Sequence, residues 1–505
     1  MNARIFLLLG LVCSLWACKD APDPPASSEA PKRYDEPHRP QFHFTPDSMW
    51  MNDPNGMVYF EEEYHLFYQF YPDSNVWGPM HWGHAVSPDM VHWKHLPIAL
   101  YPDSLGYIFS GSAVIDWQNT SGFGAGSVPP MVAIFSHHDP DKEAAGDIDY
   151  QTQSIAYSLD RGRNWTKYAE NPVVANPGKK DFRDPKVIWH EPTQQWVMVL
   201  AVHDRVHLYV SPNLKDWEFA SEWGVEGDER KWECPDLFPM VADDGTEHWV
   251  LIVSMQLQAP NGGTGTAYWV GEFDGVKFSA DPAAHQWIDV GTDNYALVTW
   301  SDIPEEDGRT LALGWMSNWQ YAKIVPTTRW RSAMTLPREL KLKSYGDTYR
   351  VCSMPVEEVK SLMGTPQLHP LDSGDHSLEL PQALVKLDLE GTYPPSGGLE
   401  LALSNEAGDS VFVGLRDHKI FVDRTQAGIA DFHTAFAAVH TGLEELAGDS
   451  LRMTVYVDRA SLEIFVNDGA EVMTELVFPK VPYSQLSLKT DQAWKLSISP
   501  LSGIW

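Results

Sequence analysis

Long helical periodicity is scarce in this chain, and short strand-like runs recur between turn residues along most of its length. Tyr64, Leu66, Tyr68 and Phe70 alternate with His65, Phe67 and Gln69. Similar runs follow at Met131 to Phe135, Trp196 to Val202, His207 to Val210, His248 to Met255, Ala267 to Phe273 and Thr310 to Trp315. A period near two, broken every few residues by turns, predicts an all-β chain. Its 505 residues are enough for one large core or two ordinary ones.

A weak repeat runs through the first part. Ser87-Pro88-Asp89 leads to Trp93, Ser158-Leu159-Asp160 to Trp165, and Ser211-Pro212-Asn213 to Trp217. Each is a tight polar turn followed by an aromatic, at intervals of a four-stranded blade or somewhat more, which suits a propeller as well as three unrelated hairpins. The pattern changes after Pro337-Arg338-Glu339-Leu340. Lys343 to Pro381 carries few strong strand signals. Beyond it come Leu384 to Leu389, Leu399 to Leu403, Val411 to Leu415, Ile420 to Val422, Leu451 to Val457 and Leu462 to Val466, without a blade-sized repeat. The last two runs pair naturally across Asp458-Arg459-Ala460-Ser461. A separate β-sandwich is expected there, with propeller residues 41–345 and sandwich plus linker 346–505.

The N-terminus reads differently. Arg4 precedes an apolar stretch from Ile5 to Ala17, too short to span a bilayer and shaped like a signal peptide. It ends Leu15-Trp16-Ala17-Cys18, similar to a bacterial lipobox with Cys18 as the lipidated residue. Residues 1–18 are therefore expected to be a lipoprotein signal and 19–40, rich in Pro, Ser and charge, a flexible tether. This places the protein in a bacterial cell envelope, lipid-anchored, periplasmic or at the surface. Ordinary secretion is the alternative. Cys234 and Cys352 read as free buried thiols. The 37 basic against 69 acidic residues give a net charge of −32, which argues against nucleic acid and against an anionic membrane surface as partners. It leaves neutral ligands open.

Three acidic positions stand out. Asp53 lies in Trp50-Met51-Asn52-Asp53-Pro54-Asn55-Gly56, where Pro54 and Gly56 force a turn at a strand entry. The Asp is either an Asx-turn residue or an aimed carboxylate. Asp184, in Phe182-Arg183-Asp184-Pro185, either forms a structural ion pair with Arg183 or joins a site. Glu233, in Trp232-Glu233-Cys234-Pro235-Asp236, is either a solvated loop residue or an acid whose proton affinity is raised by poorly polar neighbours. In a propeller, equivalent strand ends from different blades converge on one central cavity. Two carboxyl groups flanking a glycosidic bond are the minimum for its hydrolysis.

Taken in order, these motifs resemble glycoside hydrolase family 32, the invertase, inulinase and levanase family. Trp50 to Gly56 matches its nucleophile signature, Arg183-Asp184-Pro185 the second motif and Glu233-Cys234 the third. Phe109-Ser110-Gly111-Ser112, Gly314 to Trp319 and Trp330 to Met334 match further segments, and Ser461 to Gly469 a hairpin near the end. The resemblance implies a five-bladed β-propeller followed by a C-terminal β-sandwich. It implies retaining hydrolysis that releases terminal fructose from levan, inulin or sucrose, in the manner of exo-acting microbial fructanases. Asp53 would be the nucleophile, Glu233 the acid/base, and Asp184 the group that holds fructose hydroxyls. Asn52, Gln69, Trp77, Phe109, Ser110, Arg183 and Trp315 would line the terminal subsite, with Trp319 close by. No cofactor and no metal are implied, although His81 with His84, and His137-His138-Asp139, lie near aromatic loops. Asp293-Asn294-Tyr295-Ala296 departs from the family's pattern, so the resemblance gives Asp293 and Tyr295 no role. Rival readings are an arabinose-directed propeller hydrolase, a sialidase hinted at by Ser158 to Gly162, a non-catalytic fructan-binding lipoprotein, and a fructosyltransferase using the same site.

Overall fold

The computed structural model describes residues 34–392, 398–443 and 450–505. Strands dominate, and the one α-helix among the described residues is the short Pro140–Ala145. None is long and apolar enough to cross a membrane. The lipobox Cys18 lies outside the described residues.

Up to Pro355 the chain forms five antiparallel sheets, each beginning with a strand that lies innermost. Those first strands are Met49–Phe60, Tyr107–Ile115, Phe182–His190, Trp232–Val241 and Tyr295–Thr299. Each touches the next, and the fifth touches the first, so they close a ring. Closure is reinforced by chain crossing: Trp330–Arg331, from beyond the fifth sheet's second strand, pairs parallel with Met49 and Trp50 of the first. Aromatic and aliphatic residues fill the spaces between neighbouring sheets, for example Trp82 and Phe67 against Phe135. Trp232, Trp269 and Phe278 do the same further round.

The Ser-x-Asp/Asn turns occupy equivalent places, each following the third strand of its sheet: His81–Ser87, Gln151–Ser158 and Arg205–Ser211. Asp89 Oδ1 accepts from Val91 and His92 N–H, and Asn213 Oδ1 from Lys215 and Asp216 N–H. Short polar side chains thus satisfy backbone donors that the turn leaves without partners. The repeat is therefore real, and the turn at Ser158 to Gly162 serves the fold.

Two six-stranded sheets follow, built around Val385–Thr392 and Leu399–Ser404, with one aliphatic core between them. Ser450–Val457 and Ser461–Val466 form the expected hairpin. Two expected boundaries move. The break at 345/346 falls inside a hairpin, because Arg338–Tyr345 pairs with Thr348–Pro355. These are outer strands, half exposed, the first of them rich in charge, and their strand signal is weak. Residues 34–40, expected to belong to the tether, are instead packed against the fold. Tyr34 stacks on Trp505 at 4.2 Å, and Arg39 is fully buried, pairing with Glu36 at 3.0 Å and lying over the Trp330 ring. Aromatic and ionic partners brought from distant sequence fix a segment that is polar and Pro-rich on its own.

The face between the five-sheet ring and the sandwich is held by buried charge. Arg338 bridges Asp289 (3.0 Å) and Glu463 (2.6 Å). His43 spans Asp458 (2.7 Å) and Glu463 (2.8 Å). Burial opposes the charge on His43, but the two carboxylates outweigh it and raise its pKa to about 9. A raised histidine stabilises the fold fully below its unfolded value, and that contribution is lost as pH rises through the folded value. Wild-type thermal stability should therefore fall between about pH 6.5 and 9, and His43→Gln should flatten that slope. Parallel melting curves across this range would overturn it.

Candidate active site

The five innermost strands share one irregularity. Each carries one more residue than its neighbour at the same end: between Met51 and Pro54, Ile108 and Gly111, Arg183 and Lys186, Glu233 and Asp236, and Tyr295 and Val298. A bulge re-aims side chains and bends the strand. Pro54, Pro185 and Pro235 sit in three of them, where proline's missing N–H costs least. Asp184 (φ 60°), Cys234 (φ 45°) and Ala296 (φ 52°) take left-handed conformations. Gly56 also has positive φ, and a Cβ there would lie 2.7 Å from Phe67 and 2.8 Å from Trp82. The bulges turn acidic side chains toward the axis of the ring.

There they meet in a cavity of about 290 Å³. Asn52, Asp53, Gln69, Trp77, Phe109, Ser110, Arg183, Asp184 and Glu233 all line it, as expected from sequence. Asp53 Oδ2 accepts from Ser110 Oγ (2.7 Å) and Oδ1 from Asn52 Nδ2 (3.0 Å), while Trp50 Nε1 fixes Asn52 Oδ1 at 2.7 Å. Gln69 Nε2 donates to Asn55 Oδ1 and to the Ile108 carbonyl. Asp184 Oδ2 accepts from Cys234 N–H at 3.0 Å. The Cys234 thiol lies 3.6 Å from Asp53 and 3.7 Å from Asp184, beneath both. Phe109 stacks on His138 at 4.2 Å.

Arg183 organises the charges. Its Nη2 donates to Glu233 Oε1 at 2.6 Å and its Nη1 to Asp181 Oδ1 at 2.8 Å, and Nε lies 3.8 Å from Asp184. Burial, the Glu233 charge and the Asp184 charge then compete or combine at each carboxyl. Burial lifts Asp184 to about 7 against the pull of Arg183, with Glu233 and Asp53 adding to the rise. Burial and Glu233 also raise Asp53, although Ser110 and Asn52 oppose them. Burial pushes Glu233 up too, but Arg183, Lys231 and the Tyr295 hydroxyl outweigh it and hold it below the usual range.

That last point corrects the expectation from Trp232 and Cys234. Strand alternation points Trp232 into the core against Trp269 at 5.3 Å and Cys234 toward the aspartates. Glu233 instead faces Arg183, Gln256 Nε2 (2.9 Å) and Tyr295 OH (2.6 Å). Trp315 is a second correction. It is fully buried behind the wall, 4.8 Å from Trp319, and it is Trp319 that lines the cavity. Tyr295, Gln256, Asp181 and Lys231 were missed. Tyr295 begins the bulge of the fifth inner strand just as Glu233 begins that of the fourth, and that equivalence was the available signal.

The sequence model "Glycosyl hydrolases family 32 N-terminal domain" matches residues 43–355, and the family's C-terminal model matches residues 367–501. The chain belongs to glycoside hydrolase family 32. It is 46% identical over 495 residues to a levanase of Bacillus subtilis (strain 168), covering 94% of this chain and 72% of that one. It is 37% identical over 489 residues to an extracellular exo-inulinase of Aspergillus awamori, covering 88% and 90%. The crystal structure of an Aspergillus awamori exo-inulinase superposes with a TM-score of 0.86 at 34% identity, over 94% of this chain and all of that one.

Tyr295 gives a direct test of the charge balance. Removing its hydroxyl in Tyr295→Phe takes away a bond that favours ionised Glu233, so the proton affinity of Glu233 should rise. The change should also cost about 10- to 100-fold in kcat/KM, the scale for one hydrogen bond to a charged group. A carboxyl titration followed by NMR, with parallel rates, reads both. An unchanged Glu233 titration would show that the 2.6 Å contact has no energetic weight.

Proposed function

We propose that this protein is a retaining, exo-acting β-fructosidase that removes terminal fructose from levan or inulin and also cleaves sucrose. One observation carries the reading. Asp53, Asp184 and Glu233, far apart in sequence, line one pocket at the bulged ends of three inner strands. The levanase and exo-inulinase relatives support the substrate class. In this reading the five sheets are the blades of a five-bladed propeller and the last two sheets its β-sandwich partner.

The chemistry follows from the charges. Asp53, oriented by Asn52 and Ser110, attacks the anomeric C2 of the fructosyl unit. Glu233 gives its proton to the glycosidic oxygen as that bond breaks. Water then attacks C2, Glu233 takes the water's proton, and Asp53 leaves. Burial lifts Asp184 to about 7 while Arg183 holds Glu233 below the usual range, so a proton shared by the cluster is drawn toward Asp184. Fructose hydroxyls donating to Asp184 favour its ionised form, which leaves the proton to Glu233 next to the leaving group. The titration belongs to the cluster of carboxyls and not to one of them.

Exo action is supported by shape. The cavity narrows below Asp184 and Cys234 to a waist of about 20 Å³, so a sugar entering from the mouth meets a floor. Trp77, Trp319 and Lys323 stand at the rim, where the rest of the substrate would leave. An early time course on inulin and levan should give fructose alone from the first minutes, and Asp53→Ala should fold yet lose at least ~10³-fold in kcat on the same substrates. Early oligosaccharides would mean internal cleavage. Fructosyl transfer to sugar instead of water would mean a transferase.

A lipid anchor on Cys18, in a bacterial envelope, completes the proposal. Its support is the apolar stretch from Ile5 to Ala17 and the lipobox-like end. Mass spectrometry of the mature N-terminus should find a diacylglyceryl cysteine, and an unmodified start elsewhere would rule it out.

A further inference from the structure

A second cavity, of about 410 Å³, lies at the other end of the inner strands. Three strands run from the catalytic pocket to this rear cavity, Ser110 to Ile115, Asp184 to Trp189 and Glu233 to Phe238, and Tyr295–Thr299 reaches it from the strand whose Tyr295 bonds Glu233. The narrow waist separates the two. Lys186 closes it, buried and donating to the Thr299 carbonyl at 2.6 Å, with Asp236 3.1 Å away. The rear cavity therefore shares no catalytic carboxylate with the site already described.

Its walls are unusual for a space the mechanism does not use. Trp117, Trp189, Trp196 and Trp300 all line it, and Trp117 is 62% exposed. Trp117 and the half-buried Trp189 offer ring surface to solvent, whereas Trp196 and Trp300 are buried in the wall. Every one of the four indole N–H groups is already committed. Trp117 donates to Asp302 Oδ1 (2.8 Å), Trp189 to Glu191 Oε2 (2.6 Å), Trp196 to Thr120 Oγ1 (2.8 Å) and Trp300 to the His65 carbonyl (3.0 Å). These bonds fix the rings, and at Trp117 and Trp189 they leave ring surface, not a donor, for a ligand.

The remaining polar groups narrow the ligand further. Asp302, Glu191 and Gln118 line the cavity with Ser301, whose buried Oγ has no partner. The only cation in the lining, Lys186, is paired, so an anion would meet carboxylates without compensation. A hydrocarbon chain would cover those carboxylates and leave them unsolvated. A neutral saccharide fits both constraints, since it offers an apolar ring face to indole and hydroxyl donors to carboxylate oxygens. The volume suits one or two sugar rings.

We propose that the rear cavity is a second saccharide site, which holds a stretch of neutral polysaccharide on Trp117 and Trp189. Fructan is its expected polymer, and that choice of polymer rests on the function proposed above. A chain held there keeps its own ends, or those of its neighbours, near the enzyme and raises their effective concentration at the catalytic mouth.

The test uses the full-length enzyme with Trp117→Ala and Trp117→Phe, run by electrophoresis through gels containing levan or inulin, with rates on sucrose and on polymer. Trp117→Ala should lose roughly five-fold or more in retardation and raise the polymer KM similarly, as truncating one stacking aromatic does. Its kcat/KM on sucrose should stay within about two-fold. Trp117→Phe keeps a ring face and should behave like the parent. Equal retardation of parent and Trp117→Ala in both gels would overturn the proposal. So would a Trp117→Phe as impaired as Trp117→Ala at unchanged melting temperature. Because the gels read binding and the rates read hydrolysis, an enzyme that binds fructan but cleaves none would sink the proposed function and leave the rear site standing.

Discussion

Arg183 is 4% exposed, and its guanidinium sits among three carboxylates. Most of what the pocket can do follows from that arrangement. Several acidic groups in a buried cavity repel one another and lose hydration, so each would take up a proton if left alone. Arg183 prevents this selectively. It donates directly to Glu233 and Asp181 and only approaches Asp184, so it holds the first two below the usual carboxylate range while burial lifts the third to about 7. The result is a cluster in which Asp184 is pushed up to about 7 beside a Glu233 held below the usual carboxylate range. A lysine in that place could not serve two carboxylates with a rigid planar fork.

The backbone makes this crowding possible. A regular strand alternates its side chains, and five regular inner strands would present the ring axis with single, evenly spaced residues. The extra residue at each inner end breaks that rhythm, so Asn52 with Asp53, Arg183 with Asp184, and Glu233 with the Cys234 N–H all reach the same space. The cost is a left-handed backbone at Asp184 and Cys234, a conformation that side chains with a Cβ rarely adopt. Their own bonds repay part of it, since the Cys234 N–H freed from the ladder binds Asp184, and the Asp184 N–H binds Ser136 Oγ at 3.0 Å.

Sequence reasoning reached most of this because the site is made of contiguous motifs. Asn52 with Asp53, Phe109 with Ser110, and Arg183 with Asp184 are neighbours in the chain, and Pro54, Pro185 and Pro235 mark the bulges as punctuation within strand-like runs. It failed where a role depends on direction and not on identity. Trp232 and Cys234 flank Glu233 in sequence but face away from it, and the Glu233 environment comes from Arg183, Gln256 and Tyr295, all distant in the chain. Trp315 and Trp319 are four residues apart, and only their placement shows which one reaches the cavity. The outer strands near Tyr345 and the segment from Tyr34 to Pro40 were misjudged for a related reason: both are polar stretches whose order comes from distant partners.

The sandwich bears on the catalytic pocket through one such set of partners. Tyr295, which holds Glu233, follows directly from Thr292-Asp293-Asn294, and this segment is gripped from the second domain. Asp293 N–H donates to the Thr474 carbonyl (3.1 Å), Arg424 Nη1 to Asp293 Oδ2 (2.6 Å) and Leu476 N–H to the same oxygen (2.9 Å). Tyr321 OH donates to Asp293 Oδ1 at 2.6 Å, and Asn318 Nδ2 donates to the Thr292 carbonyl at 2.8 Å, so the segment carrying Trp319 is tied to the same point. Asp293 is fully buried, and without Arg424 its charge would have no cation against it. One carboxylate therefore sets the position of the tyrosine that holds Glu233 and of the tryptophan that lines the cavity. The departure at Asp293 to Ala296, which carried no assignable role in sequence, is where the second domain takes hold of the first domain's chemistry.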